Sequence, residues 1–581
     1  MSALQQVLFN RGILVEKQEA WLNAGWESIY DWMELNDPDS TCSLGKMQRA
    51  VNMVYAAIEQ DKDILVVIDC DCDGMCSSAL FVNYFYSRFP EYAAKHINYI
   101  LHDGKAHGLA DVCDKILSQK PALLVSPDGA TNDKKEQKTL NDAGIDILIL
   151  DHHEADADYT NEHTLVINVQ LSEYPNKALT GGGVTYKFVS AFEDTLIHGN
   201  QPTEFMDLCA IANCGDMADY RKPEIRAIIK IGFSNIKNPM LHEMVKQHSY
   251  VIEKRNGLNY LSAAFGIVPF TNAICRSATM EEKELFFKGM LTRYAFDKVP
   301  SSKRGITGDV YLYQEAVTIA DRVKRRQDKL VQETMEVLDK RIQDNHLIDN
   351  AIIVCLCEPD EIEANIAGLC ANKIQAKYQH PTLVLRRTKT KDDKEYFYRG
   401  SARNYSFSPV KNMRTLCEST GELTLAAGHE GAWGCAIPER NVDAFIHKTN
   451  ELYKDVDFTP AYMVDFIWTP SQLNPQTIIM IAELDIWGQE MPQSQVVVKD
   501  IPLSESNVQI LGLAKGHPTI KIECNGVEFM LFKASEELYE QFIQPNQYLT
   551  IVGTCSKNEW NGVVKPQILI DDYDLQEKWI F

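Results

Sequence analysis

Nowhere does the chain hold a run of about 18 apolar residues, so no membrane-crossing helix is expected. Its opening residues, MSALQQVLFNRGILVEKQEAW, lack a basic segment followed by an apolar one, which argues against export and for a cytoplasmic protein. No CxxC pair, internal repeat or low-complexity tail occurs. The 15 cysteines are odd in number and follow no repeating frame, so free thiols in a reducing compartment explain them better than disulfides. Positive charge is also short. The 58 Lys and Arg face 81 Asp and Glu, for a net charge of −23. That excludes a passive coat for nucleic acid, which needs an excess of Lys and Arg. It leaves room for a nuclease, whose acids hold cations at one spot while basic residues line a local groove.

What is present reads as a globular chain, 45% hydrophobic and 24% charged. At roughly 150 residues per domain, 581 residues suggest three or four domains. Residues 1–60 read as a helical segment. Apolar runs then alternate with helical stretches: DILVVID (63–69), HINYIL (96–101), PALLVS (121–126), IDILILD (145–151) and TLVINV (164–169). Their continuous apolar character predicts strands covered on both faces, hence an α/β domain with a mostly parallel sheet over 61–300. Residues 309–344 predict one long, heavily charged helix, a connector within 301–344. A second α/β unit spans 345–458. From 459 to 581 the pattern turns to β, with Asn-Gly between extended runs at 525–526 and 561–562, which predicts hairpins in a five- or six-stranded barrel.

Three of the predicted strands end in acids. LVVID leads into Asp69, Asp71 and Asp73, LLVSPDG into Asp128, and ILILDHH into Asp151, His152 and His153. Sites in open parallel sheets form beyond the carboxyl ends of the strands. One such ending could be a helix cap; three, one carrying His-His, predict a shared metal site. Carboxylates with imidazole favour Mn²⁺ or Mg²⁺ over a thiophilic ion. Cys70 and Cys72 alternate with the aspartates, and in an extended segment would point the other way. A zinc site of cysteines alone would need about four suitably spaced ligands, which the chain does not offer. LTGGGVTYKF (179–188) reads as a tight turn, or as a place where phosphate reaches backbone N–H groups. Asp216 and Asp219 read as a helix cap or a further acidic ligand. Residues 381–414 hold nine Lys and Arg against three acids, interleaved with Tyr396, Phe397, Tyr398, Tyr405 and Phe407. Charge with aromatics is what single-strand binding uses.

Taken in order, D-x-D-x-D-G (69–74), D-G (128–129), D-H-H (151–153), G-G-G-V (181–184) and GDMAD (215–219) resemble the motifs of the DHH phosphoesterase superfamily. RGSARN (399–404) and AAGHEGAWG (426–434) resemble the DHH-associated domain. NEWNGVVKPQILIDDY (558–573) resembles the closing strands of the OB-fold of RecJ-type exonucleases, and FNRGI and VPFTNAICR (268–276) are similar to RecJ segments. The resemblance implies a two-metal exonuclease, with Mn²⁺ or Mg²⁺, that degrades single-stranded DNA from the 5′ end to mononucleotides. It assigns Asp69, Asp71, Asp73, Asp128, His152 and Asp216 to the metals, with Asp128 bridging. It places Asp151 behind His152 and His153 at the scissile phosphate, making His153, Asp128 and Asp151 the catalytic group. Ser401, Arg403, Arg399, Asn272, Arg276, His429 and His102 are its nucleic-acid contacts, and Trp560 would lie on the strand's path. It implies a monomer without membrane attachment, with single-stranded DNA as partner and a single-stranded-DNA-binding protein or a helicase as the kind of protein it meets. Departures are local: His102 stands at the family's Arg position, His107 at its Tyr position, Ala427-Gly428-His429 replaces Gly-Gly-His, and Cys275 replaces Gly. Two other readings remain: a DHH phosphodiesterase acting on short oligonucleotides or RNA, and a non-catalytic RecJ-like scaffold.

Overall fold

The computed structural model describes residues 1–578 apart from 105, 392, 406, 460, 517 and 561. Asn561 of the predicted Asn-Gly turn and the side chain of Trp560 therefore lie outside the described residues. Five strands, β1 (Ile64–Ile68), β2 (Ile97–Leu101), β3 (Leu123–Pro127), β4 (Asp146–Asp151) and β5 (Thr164–Asn168), form one sheet in the order β2-β1-β3-β4-β5. Every pairing in it is parallel. β1, β3 and β5 are buried throughout, as strands sandwiched between helices must be. Helix Cys72–Arg88 follows β1 and packs against helices Gly181–Phe192 and Met206–Gly215. The three lie in a core rich in aromatics, including Phe81, Phe85, Phe188 and Phe192.

A short hairpin, β6 (Lys298–Pro300) and β7 (Asp309–Tyr311), leads into a 33-residue helix, Leu312–Asp344. Its first half buries Ala316, Val317, Ala320 and Val323 in the first core, and its second half buries Val331, Leu338 and Ile342 in another. The helix is therefore packed at both ends, with its charges on the remaining face. The second sheet holds β8 (Ile353–Cys357), β9 (Thr382–Thr388), β10 (Phe397–Arg403), β11 (Leu425–His429) and β12 (Ala432–Pro438), in the order β11-β12-β10-β9-β8.

The C-terminal sheet has seven strands, more than the five or six predicted: β13 (Phe466–Trp468), β14 (Gln495–Pro502), β15 (Val508–Leu511), β16 (Thr519–Cys524), β17 (Val527–Phe532), β18 (Gln547–Trp560) and β19 (Val563–Glu577). The extra member is the three-residue β13, added in parallel at the edge of β14. β16 and β17 turn through Asn525 (φ 48°) and Gly526 (φ 77°), the two left-handed residues a tight hairpin needs. Among the described residues, no helix is long and apolar enough to cross a membrane.

Candidate active site

The acids gather at the carboxyl ends of β1, β3 and β4. β1 stops at Ile68, and although Asp71 is itself extended (φ −148°, ψ −170°), the chain turns into a helix at Cys72. Asp71 caps helix Cys72–Arg88, accepting the Gly74 N–H at 2.9 Å, and Cys72 and Asp73 lie in the first turn. The predicted alternation of Asp and Cys faces is corrected accordingly: helical geometry, not a pleat, separates them. Cys70 is not merely apolar packing either. Its thiol meets the carbonyls of Gly104 (3.0 Å) and Cys275 (3.1 Å), and the buried Lys283 Nζ lies 3.4 Å away.

Asp128 adopts φ 66°, a left-handed conformation unusual for a residue with a side chain. Its N–H is held by the Leu150 carbonyl at 2.8 Å. Neither carboxylate oxygen has a hydrogen bond, although both are buried. His152 Nε2 lies 3.1 Å from Asp128, 3.5 Å from Asp216 and 3.7 Å from Asp73, yet it is aligned for a hydrogen bond with none of them. Asp69 Oδ1 is likewise buried without a partner, while Asp69 Oδ2 meets His107 Nδ1 at 2.7 Å. Unpartnered buried polar atoms are costly, so a cluster of them calls for a missing partner. The donor atoms fall into three overlapping groups: two adjoining niches, Asp69–Asp71–Asp128 and Asp73–His152–Asp216, and a third group, Asp128–Asp151–His152–His153, that shares a member with each. Asp128 and His152, from neighbouring strands, bring them together.

Electrostatics agree with that geometry. Burial, then the charge of Asp71, raises the Asp73 carboxyl to about 7. Burial, then Asp73, raises the fully buried Asp128 well above the usual carboxylate range, and enclosure by the rim, then Asp73, moves Asp216 the same way although its side chain is 40% exposed. Burial and the neighbouring His153 lower His152 to about 4, so its ring is neutral and able to donate a lone pair. Hard oxygen donors with one neutral imidazole fit Mn²⁺ or Mg²⁺.

Asp151 does something else. Its Oδ1 accepts the His152 N–H (2.7 Å), the His153 N–H (3.2 Å) and His153 Nδ1 (2.7 Å); its Oδ2 accepts the Thr131 hydroxyl at 2.6 Å. Burial opposes its charge, but the His153 bond and charge outweigh it and hold the carboxyl well below its ordinary value. For His153 the same pair outweighs burial and raises the ring to about 10. Asp151 thus fixes the D-H-H turn and keeps His153 cationic. Asp219 pairs with Arg221 at 2.9 Å and stays out of both niches.

The glycine run has a different job from the phosphate contact considered for it. The N–H groups of Gly181 and Gly182 both donate to Asp73, at 2.8 Å each. A Cβ on Gly181 would lie 2.4 Å from the Asp128 Cβ, and one on Gly182 would lie 2.3 Å from the Ala212 Cβ. Glycine is needed so that the helix start can seat two acids. This contact joins residues more than a hundred positions apart, and sequence reading missed it. Lys283 was missed as well: fully buried, it bonds the carbonyls of His102 (3.1 Å) and Gly104 (2.6 Å).

The second sheet faces this rim. Arg403 is pushed down by burial and then by the charge of Arg276, which places two cations together. Among the described residues neither has a carboxylate partner. The Arg403 guanidinium and the Ser401 hydroxyl both border Gly368. Asn272 Oδ1 accepts the Cys72 N–H at 3.2 Å, beside Asp71. His429, exposed at the end of β11, is close enough for its charge to act on His152. Two expected contacts are corrected. His102 is fully buried with Nδ1 on Asp111 at 2.9 Å, so it cannot meet a strand. Arg399 spends its charge on Asp393 through two 2.8 Å bonds. Tyr398 and Tyr405 are also buried, which removes them as stacking surfaces and leaves Tyr396 and Phe407 exposed.

Comparison with known proteins agrees with this architecture. Residues 63–213 match the model of the DHH family, N-terminal domain. Residues 464–572 match the RecJ OB domain. In this pairing of matched domains the chain is similar to RecJ-type proteins. It is 29% identical to the prophage-derived protein YorK of Bacillus subtilis (strain 168), over 99% of this chain and 96% of YorK. It is 24% identical to the single-stranded-DNA-specific exonuclease RecJ of the same organism, over 92% of this chain and 64% of that one. The fold matches the crystal structure of RecJ from Thermus thermophilus in complex with Mn²⁺, with a TM-score of 0.71 at 18% identity, covering 99% of this chain and 76% of that one.

Proposed function

We propose that the chain is a divalent-cation-dependent exonuclease that hydrolyses single-stranded DNA from the 5′ end to mononucleotides. One observation carries this reading. Two adjoining niches meet at Asp128 and His152, whose buried atoms have no protein partner. Its substrate class follows from the exonuclease names of its relatives. Asp69, Asp71 and Asp128 would hold one Mn²⁺ or Mg²⁺ ion, and Asp73, His152 and Asp216 a second. When bound, such a pair supplies a water of lowered pKa and offsets charge on the phosphate and leaving oxygen.

The chain's own groups prepare that chemistry. Asp151 orients the D-H-H backbone and keeps His153 protonated, so His153 can donate a charge-assisted hydrogen bond to a phosphate oxygen. Gly181 and Gly182 lock Asp73. Arg276 and Arg403, with Ser401 and Asn272, form a cationic, hydrogen-bonding surface suited to the 5′-terminal phosphates. Their position supports attack from that end, and the loss of His102 as a contact leaves more of the task to this pair.

The test is direct. Protein with Mn²⁺ or Mg²⁺ is given single-stranded DNA labelled at its 3′ end, and the products are sized over time. Mononucleotides released from the unlabelled end are expected, and Asp128→Ala should stop their release. Attack from the 3′ end, or digestion of dinucleotides alone, would overturn the reading. The same assay on RNA separates the short-oligonucleotide and RNA alternative.

A further inference from the structure

Away from the acid rim, a cavity of about 250 Å³ opens between the β6–β7 loop and the first turns of helix Leu312–Asp344. Four cations line it: Lys303, Arg304, Arg322 and Arg325. The hydroxyls of Ser302 and Thr318 join them. Asp321 is the single acid in the wall, and it is already engaged by Gln247, by His248 Nε2 (3.2 Å) and, more distantly, by Arg325 (3.9 Å). Arg322 is also spoken for, donating to Ser302 Oγ at 3.0 Å and to Glu282 at 3.3 Å. Lys303 and Arg304 have no ion pair or side-chain hydrogen bond among the described residues, and the Arg325 side chain is 83% exposed. Three positive charges therefore stand open to solvent around one cavity, in a chain whose net charge is −23.

The cavity continues along the helix. Arg322, Arg325, Arg326 and Lys329 recur at i, i+3, i+4 and i+7, which puts them on one face. At 1.5 Å per residue that ridge runs about 10 Å. Glu282 takes part of the charge of Arg322 and Arg326, and Glu333 lies 3.7 Å from Lys329. The ridge remains net positive, and it is longer than one inorganic phosphate. One turn on, Arg326 and Gln327 each bond Ser277 at 2.8 Å, the last residue of helix Val268–Ser277 that carries Asn272 and Arg276. The patch is thus outside the acid rim but fixed to the element beside it.

We propose that this cavity and ridge bind successive phosphates of a single strand, holding substrate away from the reacting end. Cations with hydroxyls and no free acid match phosphodiester oxygens, and a graded ridge suits a backbone better than a single anion. That the phosphates belong to a nucleic-acid strand rests on the exonuclease reading; that the cavity takes phosphate does not.

The experiment uses the full chain in EDTA with a 3′-fluorescent oligothymidylate, read by anisotropy across a KCl series. The variant Lys303→Glu/Arg304→Glu/Arg325→Glu changes two side chains without bonds and one, Arg325, whose sole ion pair among the described residues is the 3.9 Å contact with Asp321, and thermal melting checks its fold. For an oligomer of about 30 nucleotides, loss of three phosphate contacts should weaken binding about 10-fold or more and flatten the log–log salt slope by about 2. Arg304→Lys/Arg325→Lys should keep most of the affinity, and hydrolysis of a thymidine dinucleotide with Mn²⁺ should be unchanged. Equal affinity and equal slope in wild type and the charge-reversal variant would overturn the proposal. So would protection against heating by inorganic tripolyphosphate, lost in the variant while oligothymidylate binding stays intact, since that marks a site for a free small anion. If wild type digests no DNA yet loses oligothymidylate binding on charge reversal, the phosphate site stands and the exonuclease reading fails.

Discussion

Two buried carboxylates in this chain have opposite surroundings. Glu528, in the C-terminal sheet, is met by Lys565 (3.0 Å), Gln567 (3.0 Å) and Lys521 (3.2 Å). Burial raises its carboxyl, but those three partners outweigh burial and lower it. Asp128, at the rim of the first sheet, has no hydrogen bond to either oxygen and is raised by burial and by surrounding acids. A carboxylate that serves the fold is satisfied by the protein. One that is left unsatisfied among others of its kind destabilises the apo protein and is kept for a ligand. Breaking each should have opposite signatures. Asp128→Asn should lose activity by on the order of 10²-fold or more, the scale of removing a group that stabilises reacting charge, while its melting temperature in EDTA holds or rises. Glu528→Ala should lower the melting temperature, by about 1–3 kcal/mol of stability, with activity per folded molecule retained. DNA digestion paired with thermal melts reads both. A fall in metal-free stability for Asp128→Asn would sink the comparison.

The second effect concerns pH and metal together. Asp73 is raised to about 7, and Asp128 and Asp216 are raised too. A carboxyl whose folded pKa exceeds its unfolded value keeps its proton longer in the folded state. In the metal-free protein the cluster therefore takes away stability as pH climbs from about 4 through about 7. A bound cation reverses this by pairing with the ionised forms. Saturating Mn²⁺ should raise the melting temperature, with about 2.7 kcal/mol expected at a hundredfold excess over Kd, and the gain should shrink towards pH 5 as protons compete. Calorimetry with and without Mn²⁺ at several pH values checks it. An equal gain at all pH values, or an equal gain in Asp128→Ala, would place the ion elsewhere.

What could be read from the sequence divides along the same line. The rim was legible because apolar runs ending in Asp69, Asp128 and Asp151 state both the strand and its functional end. The partners of those acids were not. Gly181 and Gly182 reach Asp73 across more than a hundred residues, and nothing in a glycine cluster says whether its N–H groups face a phosphate or a carboxylate. His102 looked like a contact because it stands at the family's Arg position, but its side chain is buried and Asp111 takes it. Arg399 looked like a contact by its motif, yet Asp393, six residues back across the β9–β10 turn, neutralises it. In each case local pattern set the element and long-range packing set the side chain's partner.

A smaller effect tests the layer behind the acids. Thr131 donates its hydroxyl to Asp151 and also receives Asn168 Nδ2 at 3.1 Å, so it carries orientation from β5 to the D-H-H turn. Thr131→Val should cost about 10-fold in activity or metal affinity, the lower end for partners behind a metal ligand, without the complete loss expected at Asp128. Titration with Mn²⁺ during DNA digestion separates the two routes.

The mildest substitution falls in the acid-rich loop itself. Cys72 opens helix Cys72–Arg88 with its side chain buried against Gly215, whose Cβ position would lie 2.9 Å from the thiol. It supplies no atom to either niche. Cys72→Ala removes a small buried group and leaves the capping by Asp71 untouched, so activity with Mn²⁺ should stay at the wild-type level. Cys70→Ala differs, because Lys283 then loses one of its three contacts while keeping the His102 and Gly104 carbonyls. Here a modest fall in melting temperature with little change in rate is expected. If either alanine variant lost activity as completely as Asp128→Ala, the thiols would have to be counted among the metal-holding groups, and the contrast between satisfied and unsatisfied acids would no longer describe this rim.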